Sequence, residues 1–121
     1  MGILSIVLTA LTALLHVGFL VLEMFLWTKP QGRAVFRMTP ERAEATRVLA
    51  ANQGLYNGFL AAGLVWSLVE PDPVLAFKLK VFFLVCVVVA AIYGAWSVKP
   101  HILLVQGGPA ILALLFLLSA S

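Results

Sequence analysis

Charged residues are scarce in this sequence. Asp, Glu, Lys and Arg make up 11% of its 121 residues, hydrophobic residues make up 63%, and the mean hydropathy is +1.09. A soluble domain carries about 25% charged residues, so this composition excludes an ordinary soluble fold and predicts an integral membrane protein. At this length we expect a single transmembrane domain over residues 1–121.

Cysteine is nearly absent as well. Cys86 is the single cysteine, so it has no internal disulfide partner and does not reveal the redox compartment. It lies in an apolar run without a nearby cation, which favours an inert buried thiol. Without paired cysteines or closely spaced histidines, the sequence falls short of the usual ligand count of a metal site. We therefore expect no metal, and the sequence does not indicate which cofactor, if any, is used.

Four apolar runs are each long enough to cross a hydrocarbon layer of roughly 30 Å. They predict an all-α, integral membrane protein with a four-helix transmembrane bundle. The predicted helices cover about residues 3–27, 41–69, 74–98 and 101–120. The first run has no basic segment before it and no clear cleavage site, so we interpret it as a retained helix rather than a signal peptide.

Local signals predict how these helices begin and end. Thr39 is expected to cap the second helix, with Pro40 at the first helical position. Lys78 and Lys80 are expected to extend their ammonium groups to the lipid headgroups. Lys99 and Pro100 predict a turn, and Pro109 is expected to kink the fourth helix because it removes a backbone hydrogen bond.

The net charge is +3, and the basic residues lie in short loops between apolar runs. That distribution indicates membrane topology, and we expect no nucleic-acid partner. The loops after the first and third helices hold most of the Lys and Arg residues, so the positive-inside rule predicts both termini outside. Membrane lipids are the expected partners. The small residues Gly54, Gly58 and Ala62 permit close helix packing, which is compatible with a homo-oligomer.

Polar side chains recur at one depth of the predicted bundle. Glu23 lies about one turn from the basic end of its helix, and His16 lies nearer the midplane. The ligand-binding candidates at a similar depth are Asn52, Gln53, Tyr56, Asn57, Tyr93, Trp96 and Gln106. Polar residues that serve packing alone would not be expected to share one depth. We therefore predict a polar cavity among the four helices, near the cytoplasmic side.

Ionisable groups inside a membrane indicate a functional site by default. Glu23 and His16 are the candidate catalytic residues, as general acid and base, and the amides would orient a carbonyl or hydroxyl group. The leading hypothesis is an acid–base enzyme, isomerase- or epimerase-like, that acts on a lipophilic small molecule. The first alternative is a non-enzymatic small-molecule binding or transport module. Interhelical hydrogen bonds from Asn, Gln and Tyr would also occur in a bundle without any site.

Several motifs together carry a resemblance to a known family. They are His16-Val17-Gly18-Phe19, Leu22-Glu23-Met24, Asn52-Gln53-Gly54-Leu55-Tyr56-Asn57-Gly58, Tyr93-Gly94 and Gln106-Gly107-Gly108-Pro109. These motifs closely resemble the family catalogued as "domain of unknown function thirteen-oh-four", over nearly the whole chain. The resemblance implies a small bacterial four-helix membrane protein, and hence a multi-pass protein of the bacterial inner (plasma) membrane. Some members carry the label "epimerase".

A second resemblance concerns the entry of the second helix. Glu41-Arg42, Glu44, Arg47 and Asn52 resemble the pattern of membrane-associated eicosanoid and glutathione metabolism proteins. This resemblance implies a trimeric, glutathione-dependent membrane transferase, in which Arg47 and Asn52 contact glutathione. The sequence departs from that pattern, since Tyr56 or Gly54 stands near the position of a glutamate in that family.

Overall fold

The computed structural model describes residues 2–97 and 103–119, and every regular element in these ranges is helical. The elements are α1 (Ile3–Met24), α2 (Pro30–Phe36), α3 (Pro40–Ala45), α4 (Arg47–Val69), α5 (Pro73–Ser97), a π-helical turn (Leu103–Gly107) and α6 (Gly108–Ser119). The all-α class is therefore confirmed. The predicted turn at Lys99 and Pro100 and the predicted helix limits at residues 98, 101 and 120 lie outside the described residues.

Two short helices precede α4, where the sequence predicted a loop and the start of one long helix. Pro30 opens α2, and Arg37 ends it in the left-handed conformation, with φ 52°. Thr39 caps α3 as predicted, because its hydroxyl accepts a hydrogen bond of 3.2 Å from the Arg42 backbone N–H. The predicted helix over 41–69 is interrupted at Thr46, whose hydroxyl donates to the Arg42 carbonyl at 2.8 Å. Such side-chain bonds to the preceding turn bend or break helices.

Pro109 lies in the first turn of α6, directly after the π-helical turn. An α-helix would bond the N–H of residue 109 to the carbonyl of Val105, and proline has no N–H to donate. The hydrogen-bonding pattern changes from π-helical to α-helical at Gly108, so the missing donor of Pro109 falls at the junction of the two helix types. The irregularity predicted from Pro109 thus takes the form of a change of helix type.

The helix α1 is polar on its buried side and apolar on its exposed side. Ser5, Thr9 and Thr12 are fully buried, and each hydroxyl donates to a carbonyl of its own helix at 2.7–2.8 Å. The large apolar side chains Ile3 and Leu14 are 76% and 67% exposed. This distribution is the reverse of a helix on the surface of a soluble protein, where the apolar stripe faces inward.

Two of the described helices, Ile3–Met24 and Pro73–Ser97, are long and apolar enough to cross a membrane. Only 28% of the most apolar window of each is buried. The core helix of a soluble protein has the same composition but is mostly covered by other elements. The exposed apolar surface of α1 and α5 is therefore the feature that needs an apolar surrounding.

The chain forms two compact units. One contains residues 2–15, 60–97 and 103–119, and its core is built from small and branched side chains. The buried members of that core are Ala13, Leu64, Leu84, Val87, Ala110, Ala113 and Leu117. The other unit is His16–Phe59, which contains the end of α1, both short helices and the first half of α4.

Candidate functional site

A carboxyl–amide pair joins α1 to α4 within the unit His16–Phe59. The side-chain amide of Asn57 donates a hydrogen bond to Oε1 of Glu23, and both side chains are half-buried. Residues 34 positions apart in sequence are thus held together by a direct polar contact. A buried carboxyl group requires such a partner, because the cost of removing it from water is otherwise uncompensated.

Two glycines of α4 bring α1 close enough for this contact. A Cβ atom at Gly54 would lie 2.6 Å from Cγ of Met24 and 3.2 Å from the Leu20 carbonyl oxygen. A Cβ atom at Gly58 would lie 2.6 Å from Cδ1 of Leu20. Real Cβ atoms do not approach other atoms so closely, so a larger residue at either position would require the neighbouring side chains of α1 to shift. The spacing of four residues gives α4 a thin face against α1, as the sequence predicted for Gly54 and Gly58.

The neighbouring polar side chains of α4 are exposed. Asn52 and Gln53 are both in the exposed class, and Tyr56 is 55% exposed with its ring 6.2 Å from that of Phe59. Gln53 and Asn57 are four residues apart, so they share one side of the helix. Of the four predicted polar residues on α4, Asn57 contacts Glu23, while the other three form an open polar surface beside that contact.

His16 is fully buried, and its ring packs edge-on against Phe19 with 5.4 Å between the ring centroids. Seven residues separate it from Glu23 on α1, which corresponds to about 10 Å along the helix axis. The two predicted catalytic residues therefore lie two turns apart on one helix. Glu23 is half-buried and His16 is not accessible, so a bound molecule reaches only the carboxyl group without rearrangement of the helix surroundings.

The remaining predicted residues belong to the other compact unit. Tyr93 and Trp96 are 64% and 83% exposed near the end of α5, with 6.0 Å between their ring centroids. Gln106 is half-buried in the π-helical turn. That the nine residues share one chamber remains a prediction.

The residues that resemble a glutathione site are on the surface of the unit His16–Phe59. Nε of Arg47 lies 3.2 Å from Oε1 of Glu44, and both side chains are more than half exposed. Asn52 is exposed as well. An exposed pair of this kind contributes little to stability. Nothing in this geometry favours glutathione over other ligands.

Lys80 forms a polar contact that sequence reasoning missed. It was expected to extend to the lipid headgroups, but it is only 3% exposed, and its Nζ donates to the Ser67 carbonyl at 3.1 Å. In a continued α-helix the N–H of residue 71 would bond to that carbonyl, and Pro71 has none. Lys80 takes the place of this donor at the end of α4, where a cation is also favoured by the helix dipole. The sequence contains one indication of this contact: Pro71 lies four residues after Ser67 and has no N–H to bond to the Ser67 carbonyl.

The chemistry of the Glu23 pair follows from how its atoms are used. Asn57 donates to Oε1 of the carboxyl group, so this hydrogen bond does not use Oε2 or the side-chain oxygen of Asn57. A carboxyl group can accept or donate a hydrogen bond according to its protonation, and it can transfer a proton. The pair is suited to binding a hydroxyl, amine or carbonyl group of a small molecule.

Comparison with known proteins gives a family but no activity. The model of the family described as "Protein of unknown function (DUF1304)" matches residues 10–118. The chain belongs to this family. It is 35% identical over 117 residues to the "Uncharacterized protein YpaA" of Lactococcus lactis subsp. lactis (strain IL1403), covering 95% of this chain and 97% of that protein. No solved structure matches.

The matching family is the one that the sequence motifs resembled, and the findings correct one part of that resemblance. It included the label "epimerase" for some members, whereas the family is described as of unknown function and the relative from Lactococcus is uncharacterized. Neither description assigns an activity. The label therefore carries no weight for this chain, and any function has to be argued from the residues themselves.

Proposed function

We propose that this chain is a four-helix, multi-pass protein of the bacterial inner membrane, with a site for an amphipathic small molecule at Glu23 and Asn57. The exposed apolar surfaces of α1 and α5 support the membrane location, because lipid is the surrounding that leaves them stable. The helix α4 and the segment 103–119 would supply the other two spans. A homo-oligomer is compatible with this arrangement.

A lipid surrounding also explains why the buried side of α1 is polar and its exposed side is apolar. The hydroxyl groups of Ser5, Thr9 and Thr12 bond to their own helix, so they need no water and no ligand. Glu23 differs from them, because its partner is a side chain on another helix and its second carboxyl oxygen has no hydrogen bond to the part of the chain that the structure describes. This uncommitted oxygen is the single observation on which the proposed site depends.

The topology has a direct test. The positive-inside rule predicts that the loop around Met38 faces the cytoplasm and the turn at Asp72 faces outward. Met38→Cys and Asp72→Cys would each be made in a Cys86→Ser background and treated with a membrane-impermeant maleimide in spheroplasts. We expect labelling at position 72 in intact spheroplasts and at position 38 only after lysis. The reverse pattern would overturn the orientation, and equal labelling of both would overturn the crossing of α4.

The site has its own test. Wild-type protein and Glu23→Gln would be purified in mild detergent, and retained small molecules would be identified by mass spectrometry. We expect the variant to lose a bound molecule by about tenfold or more, which corresponds to about 1.4 kcal/mol of binding free energy. Glu70→Gln is the matched control, since Glu70 accepts from Trp66 Nε1 at 2.9 Å on the surface. The same molecules in the same amounts on wild type and Glu23→Gln would refute the site.

Acid–base catalysis at the same site is the second candidate, favoured by the half-buried carboxyl group with one free oxygen. In this case Glu23 transfers the proton, and the exposed amides of Asn52 and Gln53 position the substrate. His16 would act through the packing of α1, because it is fully buried.

Metabolite and lipid extracts of cells distinguish a binding or transport module from an acid–base enzyme. An enzyme changes the extract of cells that overproduce the wild-type protein, and Glu23→Gln abolishes that change. A binding or transport module retains a ligand during purification without producing a new compound. Extracts that change identically with wild type and Glu23→Gln would exclude catalysis by this carboxyl group.

A further inference from the structure

The net charge of the protein is concentrated in one segment. Residues 28–47, here called the basic segment, contain five of the eight Lys and Arg residues and two of the five Asp and Glu residues. The segment therefore carries +3, the net charge of the whole chain, and the charges elsewhere cancel. Its cations are Lys29, Arg33, Arg37, Arg42 and Arg47.

The basic segment is held in a defined conformation. Nε1 of Trp27 donates to Oγ1 of Thr46 at 3.0 Å, which ties the stretch after α1 to the break between α3 and α4. The ring of Phe36 on α2 lies 4.8 Å from that of Trp27. Gly32 is buried against the backbone of Leu26, where a Cβ atom would collide. The cations are thus presented on a folded scaffold rather than on a loose linker.

Most of this charge is not neutralised by the protein. Lys29, Arg37 and Arg42 have exposed side chains, and the described ion pair of the segment joins Arg47 to Glu44. Exposed apolar side chains adjoin the cations, with Val35 59% and Phe36 37% exposed on α2. Cations next to exposed apolar groups are typical of segments that lie in a membrane interface.

We propose that the basic segment is a binding surface for the headgroups of anionic phospholipids. Charge complementarity supports this partner, since each Lys or Arg beside an anionic leaflet contributes about 1 kcal/mol to the interaction. The apolar side chains of α2 would enter the headgroup region while the guanidinium groups contact lipid phosphates. The inference rests on the proposed membrane location and is independent of the Glu23 site.

The test uses the full-length protein in nonionic detergent and two short-chain lipids. Binding of dioctanoyl phosphatidylglycerol and dioctanoyl phosphatidylcholine would be measured by native mass spectrometry. We expect a clear preference for the anionic lipid. Arg37→Gln should weaken its binding about fivefold, and Arg37→Gln with Arg42→Gln about 25-fold, whereas binding of phosphatidylcholine should not change.

Lys78→Gln is the matched control, because Lys78 is an exposed cation on α5, outside the basic segment. It should change binding less than about twofold. Equal affinity for the two lipids, or equal effects of Arg37→Gln and Lys78→Gln, would overturn the proposal. Displacement of the lipid by an equal concentration of inorganic phosphate would overturn it too, because the surface would then be a phosphate site.

A measurement on the wild-type protein covers the case in which the double variant does not fold. Binding of the anionic lipid should weaken as salt is added, because exposed charges are screened over about 10 Å at 0.1 M ionic strength. Binding that does not depend on salt would contradict an electrostatic surface. None of these outcomes affects retention of a ligand by Glu23, so the two proposals fail separately.

Discussion

In each compact unit, an ionisable side chain of an apolar helix is hydrogen-bonded to α4. In the unit His16–Phe59, Glu23 of α1 accepts from the side chain of Asn57. In the other unit, Lys80 of α5 donates to the backbone carbonyl of Ser67. Glu23 is half-buried with one oxygen uncommitted, whereas Lys80 is 3% exposed.

The difference separates a candidate site from a structural contact. Lys80 replaces a backbone donor that Pro71 cannot supply, so its role is complete without any other molecule. Glu23 satisfies no backbone group, and helix packing at Gly54 does not require a carboxyl group beside it. A charged group in an apolar helix therefore indicates a functional site only when it does not cap the backbone of another helix.

The largest expected effect is at the glycine that brings α1 and α4 together. Gly54→Ala adds a Cβ atom 2.6 Å from Met24 Cγ and 3.2 Å from the Leu20 carbonyl oxygen, so the Met24 side chain and the adjacent backbone of α1 must shift. We expect a loss of about 2 kcal/mol or more in the free energy of unfolding. It would be measured by equilibrium unfolding in mixed detergent micelles. Gly18→Ala is the control, because nothing lies within 4 Å of its Cβ position, and it should be neutral or stabilising. Equal effects would refute the close packing.

Removal of Lys80 should have the next largest effect. Lys80→Met leaves the buried Ser67 carbonyl without a donor, and we expect a loss of about 1–2 kcal/mol in the free energy of unfolding. Lys78→Met, two residues away and exposed, should change it by less than about 0.5 kcal/mol.

A second substitution sharpens this test. Pro71→Ala restores an N–H that can bond to the Ser67 carbonyl, so in that background the cost of Lys80→Met should fall to near zero. An unchanged cost would show that Lys80 stabilises the protein by some means other than capping α4.

The smallest expected effect concerns the candidate site. A double-mutant cycle of Glu23→Leu and Asn57→Leu, which removes the acceptor and the donor, should give a coupling energy of about 1 kcal/mol, since hydrogen bonds between helices in membranes are modest. A cycle of Glu23→Leu with Gln53→Leu is the control and should give no coupling, because Gln53 is exposed and Glu23 is bonded to Asn57. Coupling to Gln53 as large as to Asn57 would contradict the pairing of Glu23 with Asn57.

Much of the fold was readable from local signals. The cap at Thr39, the start of a helix at Pro40 and the irregularity at Pro109 each depend on a few adjacent residues. The helix α2 lies in the loop predicted after the first span, although Pro30 fits the first turn of a helix. The interruption at Thr46 depends on a hydroxyl group that bonds both to its own helix and to Trp27, which spacing alone does not predict.

The candidate site was predicted as a set of residue types but not as a set of contacts. Glu23 and the polar side of α4 followed from the rarity of such residues in apolar helices. That Asn57 rather than Asn52 or Gln53 reaches the carboxyl group follows from the rotation of α4 against α1, which Gly54 and Gly58 set.

The sequence by itself determined the all-α class, the apolar composition and the segment that carries the charge, because these depend on composition, helical period and adjacent residues. The tertiary structure alone decided which polar groups are paired and which are left open. Glu23 and Lys80 look alike in sequence, as charged residues within long apolar helices. They differ in what lies opposite them on α4, and that is set by the position and rotation of a helix distant in sequence.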